Sequence, residues 1–292
     1  MQLGPTRIID THAEAFSASY ARLVVTADDE HWLSAALAAF CGYGTSVIGC
    51  DAEIAVEQTL ASDQTPDGRP GAAVLAFCFR AEQLAKAVAN RTGQGLLTCP
   101  TAEVFDGLPE ADERLPLGDF LRYFGDGYEQ QSQGAWRVPI MESEASFPPT
   151  VGTARGVAGG NLILQGKDQP SALAAARRAS EAIAPMPGVI TPFPGGVCRS
   201  GSKVGSQYER LVASTNEAFC PTLQESVETK LEPGVNCVYE IVINGVDEPA
   251  VRAAMQAAIH AAAGDGLIAT SAGHYHGKLG RVLIPLRELI QP

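Results

Sequence analysis

The feature that most constrains this chain is an alternation, used four times, of a short apolar run and an alanine-rich amphipathic stretch. In the first module Arg22–Thr26 predicts a strand. A helix follows through HWLSAALAAF, opened by the capping-box-like pair Thr26 and Asp29 and stopped at Gly42, and Thr45–Cys50 predicts a second strand. Beyond the polar link TPDGRPG (65–71) the pattern returns, with Ala72–Phe79 as a buried strand, Arg80–Asn90 as a helix and Gly95–Cys99 as a strand. The third module runs from Asn161–Gln165, through a helix introduced by DQP (168–170), to Val189–Thr191. The fourth runs from Cys237–Asn244, through a helix introduced by DEP (247–249), to Leu267–Ser271. Asp with Pro close behind it is the chemistry expected at a helix start. The strand centres within the modules, Val24 and Val47, Leu75 and Leu97, Ile163 and Val189, Val242 and Ile268, lie roughly 22–26 residues apart, which marks an internal repeat. Two βαβ modules in tandem form a split-βαβ, ferredoxin-like arrangement. The expected fold is therefore α/β (α+β): two tandem ferredoxin-like lobes, each an antiparallel sheet with flanking helices. The lobes are expected over 1–147 and 148–292, joined within 107–155.

Composition excludes several function classes. The formal net charge is −12, which argues against a nucleic-acid partner, since that calls for a basic face. No apolar run approaches the ~18 residues of a membrane span, and MQLGPTRIIDTHAEAFS has neither the basic nor the apolar region of an export signal. The seven cysteines stand singly, with no CxxC pair. Reduced thiols in a cytoplasmic protein are the expectation.

In the second lobe the two modules are pushed apart by Thr191–Pro221, TPFPGGVCRSGSKVGSQYERLVASTNEAFCP. Pro and Gly break both helix and strand ladders, and so long a loop in a compact chain is usually functional or disordered. Its Phe, Val and Tyr residues argue for order, and it is expected to form the wall of a site. It leads into CVYEIVIN (237–244), where Glu240 shares a period-2 face with Val238 and Val242 while Tyr239, Ile241 and Ile243 take the other. With both faces apolar, the strand is expected to be central. A carboxyl there loses hydration, its pKa rises, and in its neutral form it can donate a hydrogen bond or a proton. The plainer reading is a Glu paired with a buried Arg or Lys, or one at a solvated edge. GVAGGN (156–161) and PFPGG (192–196) lack the spacing of phosphate loops and are read as turns. Lys203, in SGSKVGS (200–206), can act as a point charge for an anionic tail. HYH (274–276) offers two metal ligands without others at a matching spacing, so no metal site is assigned. Cys99 and Cys220, each followed by Pro, are read as buried thiols before nucleophiles.

A set of longer words then narrows the reading. THAEAF (11–16), GYGTSVI (42–48), TPDGRPG (65–71), CPTAEVFD (99–106), FGDGY (124–128) and GVAGGN (156–161) are followed by TPFPGG (191–196), SKVGS (202–206), ASTNEAFCP (213–221), CVYEIVING (237–245) and SAGHYHGKLG (271–280). Together, over nearly the whole chain and in order, they resemble the formylmethanofuran:tetrahydromethanopterin formyltransferases. The resemblance implies two ferredoxin-like lobes and a reversible formyl transfer between N5 of tetrahydromethanopterin and the amine of a methanofuran-type carrier. Both carriers are then substrates, and no metal or permanently bound cofactor is needed. The family's catalytic Glu lies in the YEIVIN strand, which places it at Glu240. Contacts to the carriers are expected from Asp67, Arg69, Phe193, Pro194, Gly195, Gly196, Ser202, Lys203, Val204, Gly205, Ser214, Thr215 and Asn216. Arg69 and Lys203 are expected at carboxylate tails, and the amides of Gly195, Gly196 and Gly205 are expected to be donors to an oxyanion.

Arg outnumbers Lys and Ala is abundant, a bacterial-looking composition. In methylotrophic bacteria the family resembles one subunit of a formyltransferase/hydrolase complex, which implies formaldehyde oxidation to formate and an amidohydrolase-like partner, or else a homo-oligomer. The alternative is a non-catalytic scaffold or carrier-binding subunit of such a complex.

Overall fold

The computed structural model describes residues 1–275, 277 and 279–290. The chain divides into two compact units, Ala18–Arg155 and Met1–Ser17 with Gly156–Pro292. In the first, the later part of the long strand His12–Thr26 is flanked by Gly71–Cys78 and Glu103–Asp106, and Glu53–Leu60 adds to Gly71–Cys78. Every pairing is antiparallel. Numbering these strands by sequence within the unit, their spatial order is fourth, first, third, second, with helices Glu30–Cys41 and Ala81–Arg91 as the crossovers. That is the ferredoxin-like order. A three-stranded meander, Gln130–Ser132, Ala135–Pro139 and Glu144–Phe147, belongs to the same unit.

The second unit repeats the order with Leu267–Ser271, the later part of Thr150–Gly166, Cys237–Gly245 and Val189–Ile190, crossed over by helices Gln169–Ile183 and Glu248–Ala262. Leu162, Leu164, Ile241 and Ile243 bury one face against Ala175, Ala176, Ala179, Ala254 and Met255. Small residues on both helices permit that close packing. Asp168 and Asp247 cap the helices, accepting from Ser171 N and Ala250 N at 2.8 Å each.

By contacts within the chain the first 17 residues group with the second unit, where Thr6–Ile8 pairs in parallel with Ala269 and Thr270 and extends that sheet. Four expectations about the elements are corrected. Thr45–Cys50 is a turn, closed by Cys50 N to Ser46 O at 2.8 Å, and the strand comes later at Glu53–Leu60. Gly95–Cys99 is no strand either: the helix runs on into a π-turn at Thr92–Leu96, with Gly95 against the Phe40 backbone. Asp29, not Thr26, caps the first helix, accepting from Trp32 N at 3.0 Å. The glycines of GVAGGN sit inside a strand, where Gly159 at φ +86° makes a bulge and Gly160 lets the helix side chain Val251 approach.

Candidate active site

The strand Cys237–Gly245 is central in its sheet, paired on one side with Gly160–Gly166 and on the other with Val189 and Ile190. Past that short strand the chain returns to it, and Cys198 bridges Glu240 by two backbone hydrogen bonds, 2.8 and 2.9 Å. The two faces of the strand differ more than their apolar composition suggests. Ile241 and Ile243 are fully buried under the helices, whereas Val238, Glu240 and Val242 are only half-buried. What covers Glu240 is not a helix but the 191–236 segment. The corresponding connection in the first unit spans only 61–70.

Glu240 lies in a cavity of about 180 Å³ with Ile163, Cys198, Arg199, Ser200, Asn216 and Phe219 among its lining. A larger cavity of about 640 Å³ shares Asn216 and Phe219 and is further lined by Lys203, Glu217, Lys230, His274 and Tyr275. Burial alone pushes the Glu240 carboxyl up to about 7, with no cation or hydrogen bond among the described residues to pull it back. Such a group changes protonation state near neutrality. Glu103, in the other unit, is also pushed up to about 7 by burial, but Ser146 N donates to its carboxylate at 3.3 Å.

The remaining expected residues fall into three groups. Asp67 and Arg69 lie in the other compact unit. There Arg69 donates to Asp67 at 2.8 Å, Asp28 at 2.9 Å, Thr101 O at 2.7 Å and Thr26 Oγ1 at 3.1 Å, and Asp67 also accepts from Thr26 at 2.7 Å. This network braces the TPDGRPG turn.

Pro194–Gly196 forms a one-turn helix, preceded by the extended residue Phe193, against Gln169–Ile183, with Ser180 Oγ donating to Gly195 O at 2.9 Å. Gly196 has φ +76°, and a Cβ there would meet Ser180 Oγ at 2.2 Å. Gly196→Ala is expected to destabilise by about 2–3 kcal/mol, read as a lowered urea midpoint at unchanged slope.

Ser202–Val204 pairs with Ala213–Thr215 as a hairpin, and Lys203 forms an ion pair with Glu217. Asn216 reaches both cavities. Two of the three expected oxyanion donors need correction: Gly196 N already donates to Phe193 O and Gly205 N to Val212 O, both at 2.8 Å, because each closes its own turn. Cys99 is a poor nucleophile, since burial and then the charge of Glu142 push its thiol up. Within HYH, His276 lies outside the described residues, as does Lys278 of the same word.

Sequence reasoning passed over Cys198, Arg199, Phe219, His274 and Tyr275 as cavity walls, and Glu14 behind them. The word SAGHYHGKLG held the missing signal: in the described residues it lies beside THAEAF, with the His274 ring stacked on His12 at 4.8 Å.

Comparison with known proteins agrees with this architecture. A family model described as formylmethanofuran-tetrahydromethanopterin formyltransferase matches residues 1–140, and one described as the proximal lobe matches 146–289. A formylmethanofuran–tetrahydromethanopterin formyltransferase of Rhodopirellula baltica is 47% identical, over 97% of this chain and 91% of its own length. Among solved structures, the Methanosarcina barkeri formyltransferase aligns with TM-score 0.90 at 44% identity, covering 99% of this chain and 100% of its own. A chain of the formyltransferase/hydrolase complex of Methylorubrum extorquens, in complex with methylofuran, aligns with TM-score 0.95 at 40% identity, covering 100% of this chain and 99% of its own. This chain belongs to the formylmethanofuran–tetrahydromethanopterin formyltransferase family.

Proposed function

We propose that the chain moves a formyl group between N5 of a tetrahydromethanopterin and the amine of a methanofuran-type carrier, with Glu240 as the catalytic acid and base. The observation that carries this reading is a carboxyl at a cavity wall that burial holds up to about 7 with no partner among the described residues. The amine lone pair attacks the formyl carbon, a C–N bond forms, and the carbonyl electrons move onto oxygen. The oxyanion then reforms the carbonyl, the old C–N bond breaks, and neutral Glu240 gives its proton to the departing nitrogen. The carboxylate so formed takes the proton that the new amide nitrogen must lose. One residue closes the proton cycle, so the reaction read this way calls for no resident metal or prosthetic group, and both carriers enter and leave as substrates.

The larger cavity, with Lys203 and Lys230 set against Glu217 and Glu228, supports the reading of 203–204 and 216–219 as carrier-binding wall. Ser214 Oγ donates to Gly205 O at 2.9 Å and Thr215 Oγ1 lies 3.5 Å from Cys220 Sγ, so these two act by shaping the hairpin.

The direct test is formyl transfer from formyl-tetrahydromethanopterin to a methanofuran-type acceptor by the purified protein, followed against pH. The acid form of Glu240 exists below its pKa, so the rate limited by that acid should fall tenfold per unit as pH rises beyond about 7. A rate flat to pH 9 would remove Glu240 from that role.

The cellular setting proposed is cytoplasmic formaldehyde oxidation, with a hydrolase-type partner releasing formate from the furan carrier. It draws support from the likeness to a chain of a formyltransferase/hydrolase complex and from the lack, among the described residues, of a helix long and apolar enough to cross a membrane. Copurification of an amidohydrolase-like chain is the expected result, and a lone homo-oligomer would overturn the partnership.

A further inference from the structure

Glu14 is fully buried, and among the described residues no ion pair reaches it. Its carboxylate instead accepts four backbone N–H groups. Tyr275 N and Gly277 N donate to Oε2 at 2.7 and 3.0 Å, and Leu279 N and Gly280 N to Oε1 at 2.5 and 3.0 Å. Burial pushes this carboxyl up, but the four amides outweigh it and hold the pKa below the ordinary carboxylate value. All four donors come from a stretch outside any helix or strand. The same stretch begins at Gly273, His274 and Tyr275, which line the larger cavity. Asn161 fixes its entrance, accepting from Gly273 N at 2.9 Å. The Tyr275 hydroxyl donates to Ser202 O at 2.7 Å, at the start of the hairpin whose next residues, Lys203 and Val204, form the facing part of that cavity. After burial, the charge of Glu240 is the next cause that keeps the phenol protonated, so the hydroxyl stays a donor and lies within reach of the field of the reacting acid.

The geometry points to Glu14 as a positioning residue for formyl transfer, acting through Tyr275: the carboxylate fixes the Tyr275 backbone, and the phenol in turn fixes the Ser202–Val204 edge against which a carrier binds. This rests on the function proposed above. It assigns a role to the THAEAF and SAGHYHGKLG words, for which composition offered none. Neither residue sets the protonation of Glu240, whose upward shift comes from burial alone.

Two readouts on Glu14→Gln, Tyr275→Phe and the double variant test it. The first is steady-state formyl transfer. Tyr275→Phe should raise KM for a carrier about tenfold while the fall in rate above about pH 7 stays in place. Glu14→Gln should do the same, and the double variant should resemble either single one, because the second change acts on a link already cut. KM effects that multiply, or a Tyr275→Phe enzyme with wild-type KM, overturn the inference while leaving the transferase reading intact. The second readout is amide hydrogen exchange, which needs no activity. Exchange at 202–204 should accelerate in both single variants, and at 275, 277, 279 and 280 only where Glu14 is changed. Unaltered exchange at 202–204 in Tyr275→Phe overturns the inference even if the wild-type protein transfers no formyl group.

Discussion

Replacing Glu240 by Gln is expected to lower formyl transfer by roughly 10²–10⁴-fold while making the protein more stable in alkaline solution. The amide keeps the size of the carboxyl and can still donate a hydrogen bond, but it cannot give up and recover a proton. The stability change has a definite sign. In the folded chain burial holds the carboxyl up to about 7, against 4.5 ordinarily, so on raising the pH the unfolded chain releases its proton first. Stability present at pH 4 therefore declines between those two values and stays low above the higher one. Glutamine has no such loss. The variant and the wild type should unfold alike near pH 4, and the variant should gain about 2–3 kcal/mol by pH 8. Chemical denaturation at the two pH values checks the second effect, and transfer assays check the first. Full activity, or a variant less stable at pH 8, would contradict the assignment. A scaffold that had lost the chemistry should show the stability gain with no transfer in either protein.

Arg91→Met is expected to destabilise the protein by about 3–5 kcal/mol, because two carbonyls lose their donor and a partly exposed carboxylate loses its ion-pair partner. Arg91 is nearly inaccessible. Its guanidinium grips Asp51 through Nε and Nη2, donates to the carbonyls of Phe40 at 2.7 Å and Gly42 at 2.9 Å, and lies 4.6 Å from the centre of the Tyr43 ring. Tyr43 itself stands at φ +48°, a strained conformation for a bulky residue that persists only where its surroundings impose it. Without Arg91 two carbonyls and a carboxylate lose their donor and the 42–51 turn loses its anchor. A fall in melting temperature of about 6–20 °C should follow. Since Arg91 and Glu240 lie in different compact units, the pH at which transfer begins to fall should not move. A variant melting like wild type would show that packing alone holds the turn.

That same turn explains part of what sequence pattern conveyed and what it did not. The helices were legible because each carries its own start signal, as Asp168 and Asp247 do, and an alanine stripe of helical period. The central strands were legible because both their faces are apolar. Thr45–Cys50 has the composition of a strand, but a guanidinium from far along the chain and a local turn hydrogen bond decide its shape. Nothing nearby in sequence records Arg91.

The site divides in the same way. Glu240 stood out because a carboxyl in YEIVIN conflicts with its neighbours, whereas the catalytic role came from family resemblance. Lys203 looked like a free cation until its partner Glu217, beyond the hairpin, came into view. Glu14 was invisible as a site residue, since four backbone amides leave no trace in side-chain identity.

The short strand Thr6–Ile8 bears on how the chain is made. A ribosome delivers Ala18–Arg155 as one continuous piece, and that unit holds every strand of its own ferredoxin-like order. It can close during synthesis. Thr6–Ile8 precedes that unit but cannot pair until Ala269–Thr270, far beyond the unit in the chain, has been made. The first unit can therefore be finished well before Thr6–Ile8 finds its place, and the second sheet gains this strand only late in its own assembly.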